Sequence, residues 1–333
     1  MPLMLVAISI ILFAVDLTTG TAGISFSDAL KLLFSPDRTT PAWMTMHMFR
    51  IPRVITAVVA GIALSVSGLQ MQTIFRNPLA GPYVLGISSG AGLGVALVVL
   101  GFSSFFSYNI FSPGNSWLLI LAAWAGAGIV MFVILILSIR IKDVMTILIL
   151  GIMTGSGISA VISILQYFSQ ESALKAFVIW TMGSLTNVGN EQIPFLLAGF
   201  IPGLVLAVVV LKPSNAVMLG ENYARTMGVN IKVYRVLVFA STSLLTGTVT
   251  AFCGPLGFVG IAVPHLARMI SRTSKSNILF IYSILIGTSV MLLSDIITML
   301  PGAGLILPVN AVTSLLGIPV VLWIVFRRKR IFT

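Results

Sequence analysis

Several sets of residues in this 333-residue chain have types and spacings that could do chemistry. Arg50 and Arg53, in "RIPR", place two guanidiniums three positions apart, which suits bidentate capture of carboxylates; the rival reading is an anchor at a membrane interface. Glu221 and Arg225, in "LGENYARTMGV", stand four apart, and a helix-surface ion pair at that spacing is worth only about 0.2–0.5 kcal/mol. Their value is therefore expected in contacts with a partner. Pro264, His265 and Arg268 close the stretch "GPLGFVGIAVPHLAR", where His265 either steadies a helix end or touches that partner.

Much chemistry is missing. No segment reads Gly-x4-Gly-Lys-[Ser/Thr] or His-Glu-x-x-His, so neither a P-loop ATPase nor a zinc protease is written here. The two histidines, His47 and His265, fall on opposite membrane sides in the topology below, which argues against one shared metal. Cys253 is alone, excluding an intrachain disulfide and a cysteine metal cluster. Asp16 and Asp295 are the only acidic residues within apolar runs, both toward outer helix ends, and no paired intramembrane carboxylates are expected. A chain that is no enzyme and carries no cofactor or metal of its own is the expectation.

The elements that must position these residues are apolar helices. Hydrophobic residues make up 58% of the chain and charged residues 8%, with a mean hydropathy of +1.10. A water-soluble domain could not cover its surface with that composition. The runs are long enough to cross about 30 Å of hydrocarbon and lack the alternation of a barrel, so the fold class is all-α, a polytopic membrane protein. Ten spans are predicted: 3–22, 52–74, 83–101, 117–139, 144–168, 193–211, 234–252, 257–270, 277–300 and 305–326. The first lacks a basic region and a cleavage site, so it reads as a membrane helix and not a removable signal.

Charge orients the spans. With both termini cytoplasmic, the inner side receives Arg76, Arg140, Lys142, Lys212, Arg225, Lys232, Arg235, Arg268, Arg272, Lys275 and Arg327 to Arg330, while the outer side keeps Lys31, Arg38, Arg50, Arg53 and Lys175. That is the positive-inside bias, and it explains the basic excess without nucleic acid. Within this topology "FRNPLAG" (Phe75 to Gly81) lies at the inner end of the second span. Its near twin "FCGPLGF" (Phe252 to Phe258) lies at the outer end of the seventh. Pro78 and Pro255 suit a helix start or sharp break, and the repeated phrase predicts two inverted half-structures, a recurring device of transporters. The Gly86, Gly90, Gly94 face and the Gly151, Gly155 pair read as tight helix crossings.

The inner loop Lys212 to Arg235 is too polar to span. Ala216, Met218, Leu219, Tyr223, Ala224, Met227 and Val229 give it a short amphipathic helix, about 216–229, interrupted near Gly220 and ending at Gly228. Such a helix docks in a protein groove or lies on the membrane. Since the membrane interior carries almost no charge, an ion-gradient-driven secondary transporter is the weaker alternative.

Three long stretches, "RIPRVITAVVAGIALSVSGLQMQTIFRNPLAGPYVLGISSGAGLG" (Arg50 to Gly94), "LGENYARTMGV" (Leu219 to Val229) and "GPLGFVGIAVPHLAR" (Gly254 to Arg268), resemble the FecCD family of ABC-transporter permeases. The resemblance covers essentially the whole chain as one permease domain, 1–333. It implies a type II importer fold, a second permease chain in a homodimer, and two ATPase subunits that hold ATP and Mg. It also implies a periplasmic or lipoprotein substrate-binding protein outside a bacterial inner membrane. By that resemblance Gly220, Glu221, Ala224, Arg225 and Gly228 lie on or shape the surface met by the ATPase, and Arg50 and Arg53 receive acidic residues of the binding protein. Asp295 is followed by "IITML", without the arginine some members carry there. Movement of the coupling helices would rock the inverted halves and alternate access to a passage gated near Met71, Gln72, Asn77, Pro78, Ser88 and Pro255. The cargo implied is an iron chelate, ferric siderophore first, with haem, cobalamin and an oxyanion such as molybdate open.

Overall fold

The computed structural model describes residues 1–20, 25–34, 40–101, 116–141, 143–301 and 305–329. Arg38, Lys142 and Arg330, used in the charge comparison, lie outside them. The described residues are helical, with no strand among them. The order is α1 (Pro2–Thr18), α2 (Phe26–Phe34), α3 (Pro41–Met44), a π-turn Thr45–Arg50, α4 (Ile51–Ile74), a 3-10 turn Pro82–Leu85, α5 (Ile87–Ala96) and a π-turn Leu97–Gly101. There follow α6 (Ser116–Arg140), α7 (Val144–Tyr167), α8 (Glu171–Thr181), α9 (Ile193–Val209), α10 (Leu211–Leu219) and α11 (Glu221–Thr226). The last four are α12 (Ile231–Cys253), α13 (Val259–Ser271), α14 (Ser276–Thr298) and α15 (Val309–Lys329).

Every predicted span contains an apolar helix, but not every one is long. Five helices are long and apolar enough to cross a membrane, and α9 with α10 makes a sixth candidate bent by 48°. Pro2–Thr18, Ile87–Gly101, Val259–Ser271 and Val309–Trp323 are shorter. Two of the short ones, α5 and α13, directly follow the twin phrases, because each phrase consumes residues that a straight span would have used. Arg76 (φ 47°) in the first phrase and Phe258 (φ 63°) in the second are non-glycine residues held in the left-handed region, an uncommon conformation that surrounding structure must enforce. At the second phrase that structure includes Ser184, whose N–H donates to Cys253 O at 2.8 Å, and Asn310, whose Oδ1 accepts from Gly257 N at 2.9 Å.

The two halves exchange their first long helix. α4 packs on α13 and α14, while α12 packs on α5 and α6, and α4 and α12 also touch each other. α5 in turn lies on α6 and α7, as α13 lies on α14 and α15. Small residues permit the exchange: a Cβ at Gly68 of α4 would collide with the Gly260 carbonyl of α13, so backbone meets backbone there, as at many membrane helix crossings. Near the end of α4, Arg76 Nη2 donates to Val217 O of α10 (3.0 Å), and α10 also meets the start of α12 through Ser214 and Tyr234 (3.1 Å). The start of α4 reaches Asp295 (2.9 Å), which lines one cavity with Cys253 at the end of α12. The two helices are therefore antiparallel and the twin phrases lie at opposite ends, the inverted repeat expected from sequence.

α4 and α12 are buried along most of their length, whereas few residues of α7 are buried. A polar network ties the central pair where no water reaches: Gln70 Nε2 donates to Ser241 Oγ (3.0 Å) and Thr242 Oγ1 donates to Gln70 Oε1 (2.9 Å). Each buried polar atom of the amide thus finds a partner, which fixes the register of the crossing.

Candidate functional site

At the α11 end of the bundle the chain turns three times in about twenty residues. Gly220, at φ 135° and ψ 142°, breaks α10 from α11 in a conformation few other residues adopt. α11 then closes in a Schellman motif: Val229 N–H donates to Ala224 O (3.0 Å) and Gly228 N–H to Arg225 O (3.0 Å), with Gly228 at φ 82°. Asn230 caps α12 at once, its Oδ1 accepting from Lys232 N (3.1 Å) and Val233 N (3.2 Å). The interruption at Gly220 and the stop at Gly228 fall where the sequence put them.

The faces differ from expectation in detail. Ala224 is fully buried and Ala216 nearly so, while Leu219 is 72% exposed, Tyr223 49% and Met227 60%. Of the five residues assigned to the coupling surface, Arg225 and Gly228 are exposed and Gly220 and Glu221 half-buried; Ala224 shapes the surface from beneath. Glu221 does not pair with Arg225. Its Oε1 accepts from Arg235 Nη2 at 2.7 Å, because α12 brings a buried guanidinium to the start of α11, and this pair ties the two helices together.

At the opposite end, Arg50 and Arg53 are turned inward and are 3% and 5% exposed. Arg50 Nη1 donates to Leu17 O (2.9 Å) and Thr18 O (3.0 Å). Arg53 Nη2 donates to Asp16 O (2.9 Å), Thr19 O (3.0 Å) and Asp16 Oδ1 (3.1 Å), and its Nε lies 2.9 Å from Asp295 Oδ2. The cause is local: the last carbonyls of α1 have no intrahelical donors, and Asp16 and Asp295, both fully buried, supply the countercharge. The expectation of no paired intramembrane carboxylates is corrected here, since two carboxylates from α1 and α14 share one guanidinium. The expected surface presentation of Arg50 and Arg53 is likewise not what the structure offers.

Gln72 and Arg268, singled out separately in sequence, meet. Arg268 Nη1 donates to Gln72 Oε1, and Gln72 Nε2 donates to Ile261 O at 3.0 Å, clasping α4 to α13. Met71 is buried. Asn77 Oδ1 accepts from Leu79 N (2.9 Å) in a turn beside half-buried Pro78. Pro255 is half-buried, Pro264 sits buried inside α13, and His265 is half-buried one residue on. Ser88 Oγ lies 3.3 Å from Thr250 Oγ1, joining α5 to α12. Gly86 to Gly90 fits the letters Gly-x-Ser-x-Gly, yet a 3-10 turn and not a strand precedes it and Ser88 lies on a helix, so it is no nucleophile elbow.

Sequence reasoning missed the exposed face of α7. Ser156, Ser159 and Ser163 are exposed, each hydroxyl donating back to a carbonyl of its own helix, Ile152 O (3.0 Å), Gly155 O (2.9 Å) and Ser159 O (3.0 Å). The three serines stand at helical spacing on a face the rest of the bundle leaves open, and their back-bonded hydroxyls are satisfied within the helix itself. The hydropathy of α7 hid them. A further cavity of about 340 Å³ opens at the Asp295 end among Trp180, Ser184, Cys253, Asp295 and Leu307.

The sequence profile of the FecCD transport family matches residues 7–327. The chain is 33% identical over 316 residues to the vitamin B12 import system permease protein BtuC of Shigella boydii serotype 18, covering 95% of this chain and 91% of that one. It is 34% identical over 298 residues to BtuC of Escherichia coli O6:H1, covering 89% and 87%. A solved structure of a metal-chelate type ABC transporter in an inward-facing conformation superposes with a TM-score of 0.81 at 25% identity, covering 98% of both chains.

Proposed function

The chain belongs to the FecCD transport family, and from that premise we propose that this multi-pass ABC importer permease passes a metal chelate across the inner membrane while separate subunits hydrolyse ATP. The observation that carries the partnership is the apolar triple Leu219, at the end of α10, Tyr223, within α11, and Met227, just past it, all exposed beside Arg225 at one end of the bundle. Large apolar side chains exposed together on a tightly turned segment mark a protein-docking surface. That end also carries Arg76, Arg140, Arg225, Lys232, Arg235, Arg268, Arg272 and Lys275, which supports a cytoplasmic placement and both termini on that side. A second copy covering the serine face of α7 completes a passage between chains, fed from outside by a binding protein.

Ferric siderophore is the first choice of cargo. Cobalamin is the second reading, favoured by the likeness to the vitamin B12 permeases. In native membranes, affinity capture of the tagged wild type is expected to recover a P-loop ATPase, and a still monodisperse Leu219→Glu, Tyr223→Glu variant is expected to lose it. If no ATPase is recovered under conditions that preserve other complexes, the partnership is wrong and gradient-driven uptake by the purified chain becomes the reading to test. Competition between a ferric siderophore, haem and cobalamin for uptake into proteoliposomes containing the full complex decides the cargo.

A further inference from the structure

At the α11 end, the last turn of α6, the α11–α12 link and the first turn of α12 enclose a cavity of about 370 Å³, lined by Ser138, Ile139, Ile141, Arg225, Lys232 and Arg235 among others. Three of these side chains are cations. Arg235 is held by Glu221 and also points Nη1 at Ile141 O (3.4 Å). Arg225 and Lys232 are exposed, and neither enters an ion pair among the described residues. The neighbouring carboxylates are already engaged: Glu221 on Arg235, and Asp143 on the N–H groups of Met145 and Thr146 and the Thr146 hydroxyl. Three cations line the cavity and both neighbouring carboxylates are engaged, a surplus of positive charge around a space that none of the described residues fills.

Directly below the cavity, α6 exposes Ile129, Phe132, Val133, Ile136 and Ile139. Ile129, Phe132, Ile136 and Ile139 are three or four apart and form one stripe with Val133 beside it, which at about 1.5 Å per residue runs roughly 15 Å, the depth of one leaflet. We propose that the cavity takes the phosphate of an anionic phospholipid headgroup, of the phosphatidylglycerol class, with an acyl chain lying along this stripe. Basic pockets between membrane helices on the cytoplasmic side bind such headgroups. A free phosphate has no use for the stripe, and a zwitterionic headgroup brings an ammonium that meets the same cations. Because Arg235 also holds Glu221, the bound phosphate and α11 share one guanidinium, so lipid occupancy bears on how firmly α11 is tethered to α12. The inference stands on this local geometry and is independent of the cargo.

The test uses the purified full chain in mild detergent, titrated with dioleoyl phosphatidylglycerol or dioleoyl phosphatidylcholine and read by native mass spectrometry. The wild type is expected to retain phosphatidylglycerol in preference, and Arg225→Gln, Lys232→Gln to retain it roughly tenfold more weakly or worse. Lys232→Gln alone, a change at an exposed position, is expected to fall between the two. Lys212→Gln, exposed at the same end but outside the cavity, is expected to keep the wild-type preference. Equal retention of the two lipids, or a preference that survives in the double variant, overturns the proposal. So does stabilisation by inorganic phosphate equal to that by the lipid, which would assign the site to a free anion. Protection of Lys232 from amine labelling only when a co-purified ATPase is bound would assign it to the protein partner instead.

Discussion

Replacing Arg53 with methionine removes the one guanidinium between Asp16 and Asp295 and leaves both carboxylates without it at fully buried positions. It also removes two hydrogen bonds beside the end of α1, one to Asp16 O, which still accepts from Thr19 N at 3.1 Å, and one to Thr19 O. Breaking a buried ion pair by deleting one partner costs about 3–5 kcal/mol, and two carboxylates losing their partner together put this site at the upper part of that range. At roughly 2–4 °C per kcal/mol, the melting temperature of the detergent-solubilised chain should fall on the order of 10 °C. The loss should persist in high salt, because the pair is shielded from mobile ions. The companion variant replaces all three residues, Asp16→Asn, Arg53→Met and Asp295→Asn. Most of the loss should return, since removing a complete buried ionic set is far less costly than orphaning its members. Melting is followed by thiol-independent fluorescence or by the monodisperse fraction after heating, and the triple variant completes a mutant cycle. A single variant that melts within a degree or two of wild type would refute the reasoning and return Arg53 to a surface role. A triple variant no better than the single would show that α1 needs the guanidinium for its carbonyls, not for the charges.

Gly68→Val should push α4 off Gly260, costing about 1–3 kcal/mol by overpacking and broadening the elution peak. Gly228→Ala meets open space, so its cost is conformational alone, about 1–2 kcal/mol from the left-handed backbone, and should appear as faster amide exchange confined to α11. Leu219→Glu with Tyr223→Glu, both exposed, should leave melting within about 0.5 kcal/mol of wild type while abolishing ATPase recovery. Asp143 caps α7, and its hydrogen bonds from Thr146, side chain first and then backbone, hold its carboxyl below the ordinary 3.8. A lowered folded value means the cap is fully present above 3.8 and is lost only as pH falls through that lower value; Thr146 amide protection should hold at neutral pH and drop in strong acid, whereas Asp143→Asn should flatten the dependence.

The spans, the inversion and the α11 break were legible because each is a local pattern. Apolar runs, a repeated Pro phrase and two glycines at fixed offsets read directly from neighbouring letters. Asp16 and Asp295 were legible as buried acids but not as a pair, since the chain separates them by nearly its whole length and only folding brings α1 to α14. Glu221 has a nearer cation in sequence, Arg225, than the Arg235 it uses, and spacing alone favours the nearer. Arg50 and Arg53 were correctly placed at one end of a helix, yet whether they faced out or in depended on the free carbonyls of α1, which no motif announces. α8 escaped because it is too short and too mixed to stand out as a span.

The exchange of α4 and α12 between halves also sets an order of events during synthesis. α4 leaves the ribosome roughly 200 residues before α14 is complete, which at about 5–20 residues per second is on the order of 10–40 s. Through that interval its Gly61, Ser65 and Gly68 face has no α13 or α14 to lie against. Arg53 meets Asp16 early, whereas Asp295 arrives with the ninth of ten apolar segments. The first half must therefore be held open, by the insertion machinery or by lipid, until the second half threads its own helices into it. A chain stopped before α13 would leave a half-built bundle for quality control, not a stable half-transporter.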